Sequence, residues 1–526
     1  MEVNTVNLTQ LVHRNVQQRP EQLAICYQDE SLSYSELGDR VARLAAALKH
    51  VGVKANDRVA LMSMNSSRYL EVLFAVPWAG GVFNPVNIRW SVTEVAYSLK
   101  DSDVSVLIVD DTFAPMVPAL REAVPQLEAV IFAGYADCPA GLLCYEKLID
   151  DNSPIVDAYR NGDDLAGIFY TGGTTGTPKG VMLSHTNLMT FALTASLMSG
   201  VPEQTKMLHC APLFHIAGMG FLLMALMQGG TQVMVPGFNP TDVSRAVKSN
   251  SVTDLLLVPT MMQLLLDDAD FDPSDFDSVQ TILYGASPMP MGTLDKAAKC
   301  LPKVNLVQGY GMTECGMISM TPLDNHSLEA RQSGRIRSAG ITGAVQEVRI
   351  VDDQDNELPR GEVGEVVVRG ANVMLGYWGK PKLTKQAIVD GWLHTGDGGY
   401  VDEQGLIYIV DRVKDMVISG GENIYSSEVE SIVSQYPGVA QCAVIGIPSE
   451  EWGESVHAIL VSSLGSETSD ELTVSLLRKF CKQHIAGYKC PTSLEFVESL
   501  PTSAAGKILK AELRKPYWER SERQVS

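Results

Sequence analysis

Tyr170-Thr-Gly-Gly-Thr-Thr-Gly-Thr-Pro-Lys-Gly180 holds four glycines, four threonines and one lysine in eleven residues, directly after an apolar, strand-like run. Glycine lets backbone N–H groups close on phosphate oxygens, threonine hydroxyls add donors, and Lys179 supplies positive charge. A Walker loop is excluded, because no Gly-Lys-Ser/Thr stands at the required spacing. The plainer alternative is a Gly/Thr-rich surface turn. Four further segments carry reactive types. Gln308-Gly-Tyr-Gly-Met-Thr-Glu314 offers an aromatic face, a hydroxyl and a carboxylate. Gly391-Trp-Leu-His-Thr-Gly-Asp397 sets one acid at a tight turn. The stretch from Asp411 to Tyr425 contains the pair Gly420-Gly421, and Pro501-Thr-Ser-Ala-Ala-Gly-Lys507 presents a lone lysine on an arm of small residues. Singly, each has an ordinary reading: Tyr310 as core, Asp397 as a turn acid, Lys507 as a solvated charge.

Strands and helices must position these groups. Arg58–Met64, Val104–Asp110, Leu127–Phe132, Leu165–Tyr170, Thr231–Val235, Val252–Pro259 and Val279–Tyr284 read as buried strands, with helical patterns such as Ser35–Lys49 and Thr93–Lys100 between them. That alternation predicts α/β layers with largely parallel sheets. From about Gly340 the character changes. Val345–Val351, Gly364–Val368 and Gly405–Val410 predict a compact antiparallel β unit without intervening helices. After Asp411 a small α+β region follows, with strands over Val439–Ile447, Ser455–Ser462 and Ser493–Val497. Thr468-Ser-Asp-Glu471 reads as a capping box opening a helix whose stripe is Leu472, Leu476, Leu477 and Phe480. The fold class is α/β: layered α/β subdomains plus a small β subdomain over 1–410, a hinge at 411–415, and an α+β domain over 416–526.

At 526 residues the chain exceeds one ordinary core. Lys plus Arg is 41 and Asp plus Glu is 62, net −21. No nucleic-acid partner is expected, since sequence-independent binding needs a basic face. An anionic cofactor must be held by local donors. Nine cysteines without a CxxC pair argue for reduced thiols rather than a zinc or disulfide framework. The N-terminal residues lack the apolar region of a secretory signal, and the apolar run Ile216–Met227 is too short to span a bilayer. A cytoplasmic protein is the expectation, with peripheral membrane contact and oligomers left open.

Together and in this order, the five segments resemble the adenylate-forming superfamily of acyl-CoA synthetases, luciferases and adenylation domains. The likeness covers nearly the whole chain from Leu32-Ser-Tyr-Ser-Glu-Leu37, and is strongest to fatty-acyl-CoA or related carboxylate–CoA ligases. It implies ATP, Mg²⁺ and coenzyme A as cofactor, metal and co-substrate. Thr171, Gly172, Gly173, Thr174, Thr175, Gly176 and Lys179 would grip the β- and γ-phosphates. Gly285, Ala286 and Ser287 would line the adenine and acyl sites within reach of the Gln308–Met312 segment (Gln308, Gly309, Tyr310, Gly311, Met312), where Tyr310 would stack on adenine. Thr313 would bond the α-phosphate, and Glu314, with the Thr171 hydroxyl, would hold Mg²⁺. Asp397 and Arg412 would bind the ribose hydroxyls. Lys507 would reach the substrate carboxylate and α-phosphate, and His215 would sit near the acyl carboxylate and thiol entry, a core or gating role being its alternative. The resemblance also implies a mobile C-terminal domain turning about Lys414, which withdraws Lys507 and brings Gly420 and Gly421 to wall a thiol passage. Gly172 departs from the family's usual Ser or Thr, which implies a looser loop.

The implied reaction joins acid, ATP and coenzyme A into acyl-CoA, AMP and pyrophosphate through an acyl-adenylate. Met219, Phe221, Leu222 and Met289 fit a fatty or other apolar acid, with plain core packing as their ordinary alternative and with aryl, thioether and short branched acids open. A carrier-protein or oxygen acceptor, and a non-catalytic nucleotide or acyl sensor, are the competing readings. Lys507→Ala is expected to abolish acid-dependent pyrophosphate release while sparing thioester formation from supplied acyl-adenylate. Equal loss in both assays would show that the lysine is not confined to the first step. Lys414→Pro should impair CoA transfer more than adenylation, and unchanged thioester kinetics would exclude a hinge centred there.

Overall fold

The computed structural model describes residues 6–171, 178–287, 289–412, 415–420, 422–449, 451–462, 473–502 and 508–519, with Arg412 and Asn423 described by their backbone. The chain forms two compact units. The first comprises residues 1–286, 298–348 and 368–393, and the second 287–297, 349–367 and 394–526.

Two sheets build the first unit. One has a parallel centre of Thr231–Met234, Lys206–His209, Asp254–Leu257, Thr281–Gly285 and Asn305–Met312. Beyond Asn305–Met312 the chain doubles back through a tight turn into the antiparallel strand Gly316–Met320. The other sheet has eight strands. Val82–Pro85, Arg58–Met62, Val104–Val109 and Ala129–Phe132 run parallel, and the hairpin Leu165–Thr171 with Lys179–Ser184 lies antiparallel at one side. Apolar β-branched runs form these strands because both faces are covered. The helix Ser67–Trp78 is buried at every residue, and Phe74, Phe83, Phe169 and Leu222 share one core with Tyr34–His50. Ser33 caps that last helix and forms a capping box with Glu36.

The strand Trp392–Val401, whose residues from His394 onward belong to the second unit, pairs antiparallel with Leu406–Arg412, and Tyr400 stacks on Tyr408 with ring centroids 4.8 Å apart. The register shifts between Gly398 and Gly399: Gly398 faces Asp411 while Gly399 faces Ile409, leaving Val410 as the extra residue of a bulge. A long hairpin, Val439–Ser449 with Gly453–Ser462, carries the parallel strand Ser493–Phe496. Alternation sorts its side chains. Val444 joins a core with Val429, Leu460 and Leu477, while Ala443 and Ile445 face Leu513 and Tyr517 of the helix Lys510–Trp518.

The expected strands and helices form with ends displaced by a few residues, and all nine thiols are free. The region after Gly340 does contain a helix, Pro381–Ala387, contrary to the expectation of none. Proline at its start suits a first helical turn, and with no buried residue it has no apolar stripe to announce it. The C-terminal helix begins at Val474 with Thr473 as its cap, while the expected box at Thr468–Glu471 and Leu472 lie outside the described residues. Leu477 is buried there but Leu476 is exposed, because one helical turn cannot point adjacent residues at the same core. No described helix is long and apolar enough to cross a membrane.

The turn after Asn305–Met312 depends on close backbone approach. A Cβ on Gly311 would stand 1.9 Å from the carbonyl oxygen of Gly316. Gly311→Ala is therefore expected to destabilise the protein by about 1–3 kcal/mol in urea unfolding, and an unchanged midpoint would mean that the turn can open without cost.

Candidate active site

Thr171 ends one arm of the hairpin and Lys179 begins the other, directly opposite in register. The arms are braced from outside. Tyr170 donates from its hydroxyl to Asp101 at 2.7 Å, Trp378 donates from Nε1 to the Asp101 carbonyl at 2.8 Å, and Lys380 reaches the Pro178 carbonyl at 3.4 Å. Burial and Asp101 push the Tyr170 phenol up, so it is a neutral donor. Gly172, Gly173, Thr174, Thr175 and Gly176 lie outside the described residues.

Lys179 extends to Tyr377, with Nζ 3.4 Å from the hydroxyl and 4.5 Å from the ring centroid. Tyr377 in turn donates to Glu314 Oε1 at 2.8 Å. Its position follows from the two-residue strand Gly376–Tyr377, which pairs with Met182 and Val181 at the edge of the eight-stranded sheet. Glu314 stands in the turn of the other sheet, 6% exposed, with its carbonyl accepting from Met374 N at 2.8 Å. Burial and Glu314 raise the Tyr377 phenol well above its ordinary range. A lysine, a neutral phenol and a buried carboxylate thus form one line across two sheets.

The Thr171 hydroxyl is buried and has no hydrogen-bond partner among the described residues. A single carboxylate and an orphaned hydroxyl at the mouth of a Gly/Thr loop are hard oxygen donors of the kind that suits Mg²⁺, which takes its other ligands from phosphates and water. No cluster of three or more acidic, histidine or cysteine side chains able to cage a metal occurs among the described residues.

Gly285 and Gly309 face each other in register, and a Cβ on Gly285 would meet the Gly309 carbonyl at 2.3 Å. Their glycines allow close strand approach. A Cβ on Gly309 would lie 3.0 Å from Met317 and 3.9 Å from Phe221, which makes those two apolar side chains the wall on that face. On the opposite face Tyr284 contacts Gln308 Oε1 at 3.3 Å and His326 Nε2 at 2.8 Å. Burial lowers the His326 pKa to about 4, leaving a neutral imidazole. Ala286 adopts a left-handed φ of +69°, a strained choice for a residue with a Cβ, and turns the chain out of the strand. Tyr310 and Met312 are half-buried against the main core, and Thr313 opens the turn that Glu314 occupies. Ser287 falls in the second unit.

His215 heads the apolar helix Ile216–Met227, its ring tilted on Phe214 with centroids 4.2 Å apart. In the second unit Asp397 is buried and stands opposite Arg412 in register, so the two residues expected at a ribose are cross-strand neighbours. Gly420 has φ +61° and donates from its N–H to the Trp452 carbonyl at 2.8 Å. Lys414, Gly421 and Lys507 lie outside the described residues. Tyr377, Asp101 and the Tyr284–His326 pair were not anticipated from sequence. Only the Gly-Tyr-Trp run at 376–378 offered a local signal for Tyr377.

The family described as AMP-binding enzyme matches residues 12–378, and its C-terminal domain matches 428–507. The chain belongs to this adenylate-forming family and is an AMP-forming acid–thiol ligase. A feruloyl-CoA synthase from Amycolatopsis sp is 40% identical over 506 residues, 96% of this chain and 98% of that protein. A long-chain-fatty-acid–CoA ligase from Escherichia coli O157:H7 is 33% identical over 97% of this chain and 94% of its own. The crystal structure of the anthranilate CoA ligase AuaEII with anthranoyl-AMP has a TM-score of 0.89 at 26% identity, covering 98% of each chain.

Tyr377→Phe removes the hydroxyl that links Lys179 to Glu314. It is expected to lower kcat/KM for ATP by ~10- to 100-fold, the effect of one hydrogen bond to a charged group, in steady-state ATP titrations. An unchanged value would show that Glu314 is held without it.

Proposed function

We propose that the chain is an ATP-dependent CoA ligase for an aryl-substituted acid of the hydroxycinnamic type. The 40% identity to a feruloyl-CoA synthase over nearly the full length of both chains carries this reading. It stands above the 33% shared with the fatty-acid ligase, and the wall of Phe221 and Met317 over Gly309 offers an aromatic and a thioether contact to a flat ring. The apolar helix Ile216–Met227, with Met219 and Leu222 fully buried, favours the second reading, a fatty acid.

In the first half-reaction a carboxylate oxygen of the acid attacks the α-phosphorus of ATP, and the bond to pyrophosphate breaks. Two anions approach in that step. Lys507 supplies an ammonium to the carboxylate and α-phosphate, Thr313 donates to the α-phosphate, and Thr171 with Glu314 holds the metal. Bound Mg²⁺ would neutralise triphosphate charge as it develops. Tyr310 stacks on the adenine, and Asp397 with Arg412 takes the ribose hydroxyls. A positioned donor of this kind is worth about 3–4 kcal/mol. In the second half-reaction the coenzyme A sulfur attacks the acyl carbonyl and AMP leaves. A turn of the region after 415 about Lys414 would exchange Lys507 for the Gly420–Gly421 segment, whose missing side chains leave room for the pantetheine arm.

The test is pyrophosphate release with ferulate, 4-coumarate, benzoate, octanoate and hexadecanoate, each with coenzyme A or with holo-carrier protein. Ferulate or 4-coumarate with coenzyme A is expected to exceed hexadecanoate by at least about tenfold in kcat/KM. Preference for hexadecanoate would establish the fatty-acid reading, and turnover with holo-carrier alone would change the acceptor.

A further inference from the structure

One buried charge cluster lies outside everything assigned so far. Lys510, the first residue of the helix Lys510–Trp518, places Nζ 2.7 Å from Glu430 Oε1, with the two side chains only 11% and 20% exposed. Glu430 sits on the helix Ser426–Val433 and also accepts from Val444 N at 2.7 Å. The same ammonium donates to the Ser426 hydroxyl, which donates onward to Asp411. Burial works against the charge on Lys510, but Glu430 and Asp411 outweigh it, so the amine stays protonated. One helical turn later Arg514 donates to Asp415 Oδ1 at 2.6 Å. Lys510 and Arg514 share a face of one helix, and through them that helix is tied to both ends of the 411–415 segment.

That helix is also the stem of the arm carrying Lys507. Leu509 N donates to the Pro501 carbonyl at 2.8 Å, and Thr502 pairs with Ile508 in an antiparallel bridge, so Pro501–Thr502 and Ile508–Leu509 are joined side by side. We propose that Lys510 is a positioning residue for adenylation: through Glu430 and the Ser426–Asp411 link it fixes the base of the Lys507 arm relative to the segment about which the C-terminal region turns. This rests on the reading of Lys507 given above. A buried ion pair is a weak source of stability compared with an apolar pair of the same shape, so its value here is geometric.

Four variants test it: Lys510→Met, Lys510→Arg, the apolar pair Lys510→Met with Glu430→Leu, and Lys507→Ala as reference. Each is assayed for acid-dependent pyrophosphate release and for thioester formation from supplied acyl-adenylate, with thermal midpoints alongside. Lys510→Met is expected to lower kcat for pyrophosphate release by ~10- to 100-fold, the scale of a displaced reacting group, with KM values for ATP and acid within about twofold and thioester formation within about threefold. Lys510→Arg should recover most of the loss. The apolar pair removes the unpaired buried carboxylate and keeps the fold, yet should remain as slow in adenylation as Lys510→Met. Wild-type pyrophosphate release in the apolar pair, or equal loss of both half-reactions in Lys510→Met, would overturn the proposal. Pyrophosphate release that survives Lys507→Ala would instead overturn the reading of Lys507 itself.

Discussion

The hydroxyl of Tyr377 donates to Glu314, and through that bond the edge of one sheet is pinned to the terminal turn of the other. Neither element could place its group alone. Glu314 stands on a three-residue turn in which Gly311 lets its backbone close on that of Gly316. Lys179 starts a strand whose partner arm ends at Thr171. Without the phenol between them, a buried carboxylate would face a lysine with no neutral group to fix their separation. In a chain of net charge −21, a triphosphate has to be met by such local geometry, since the long-range field is unfavourable.

Much of this could be read before any coordinates. Runs such as Val104–Val109 and Thr281–Gly285 declare themselves by apolar, β-branched composition, and the Gly/Thr loop by its density of small donors. What escaped was decided by pairing across long stretches of chain. Tyr377 matters because two residues of strand meet Val181 and Met182, and no property of a two-residue strand announces that encounter. Glu430 and Lys510 are 80 positions apart and each reads as a solvated charge by itself. The polar helix Pro381–Ala387 has no apolar stripe, so periodicity had nothing to detect. Leu476 faces outward because its neighbour Leu477 takes the core side of the helix Val474–Cys481.

The two units solve different problems. The first holds its polar groups between packed sheets, where burial keeps Tyr170 and Tyr377 as neutral donors. The second carries charged pairs that tie its helical segments to one another, Lys510 with Glu430 and Lys489 with Glu428 at 2.7 Å, and to the turn at Asp415 through Arg514. Charged couplings are directional and can be remade, whereas an interdigitated apolar surface resists partial displacement. The turn proposed for the region after 415 would use the former at its stem and the latter in its interior, where Val417, Val444 and Leu460 are fully buried.

The bulge at Val410 sets the phase of everything that follows it. Side chains on a strand alternate between faces, so one supernumerary residue inverts the parity of its successors relative to the residues before it. With Val410 present, Tyr408 lies against Tyr400 while Asp411 falls on the side where Ser426 and Ser427 meet it. The carbonyl of Val410, displaced from the ladder, accepts from Ser427. Excising that one valine would close the ladder with Gly399 still opposite Ile409 and Gly398 still opposite Asp411, but it would remove the carbonyl that Ser427 donates to, so an indel of a single codon there would loosen the strand's hold on the helix it steers.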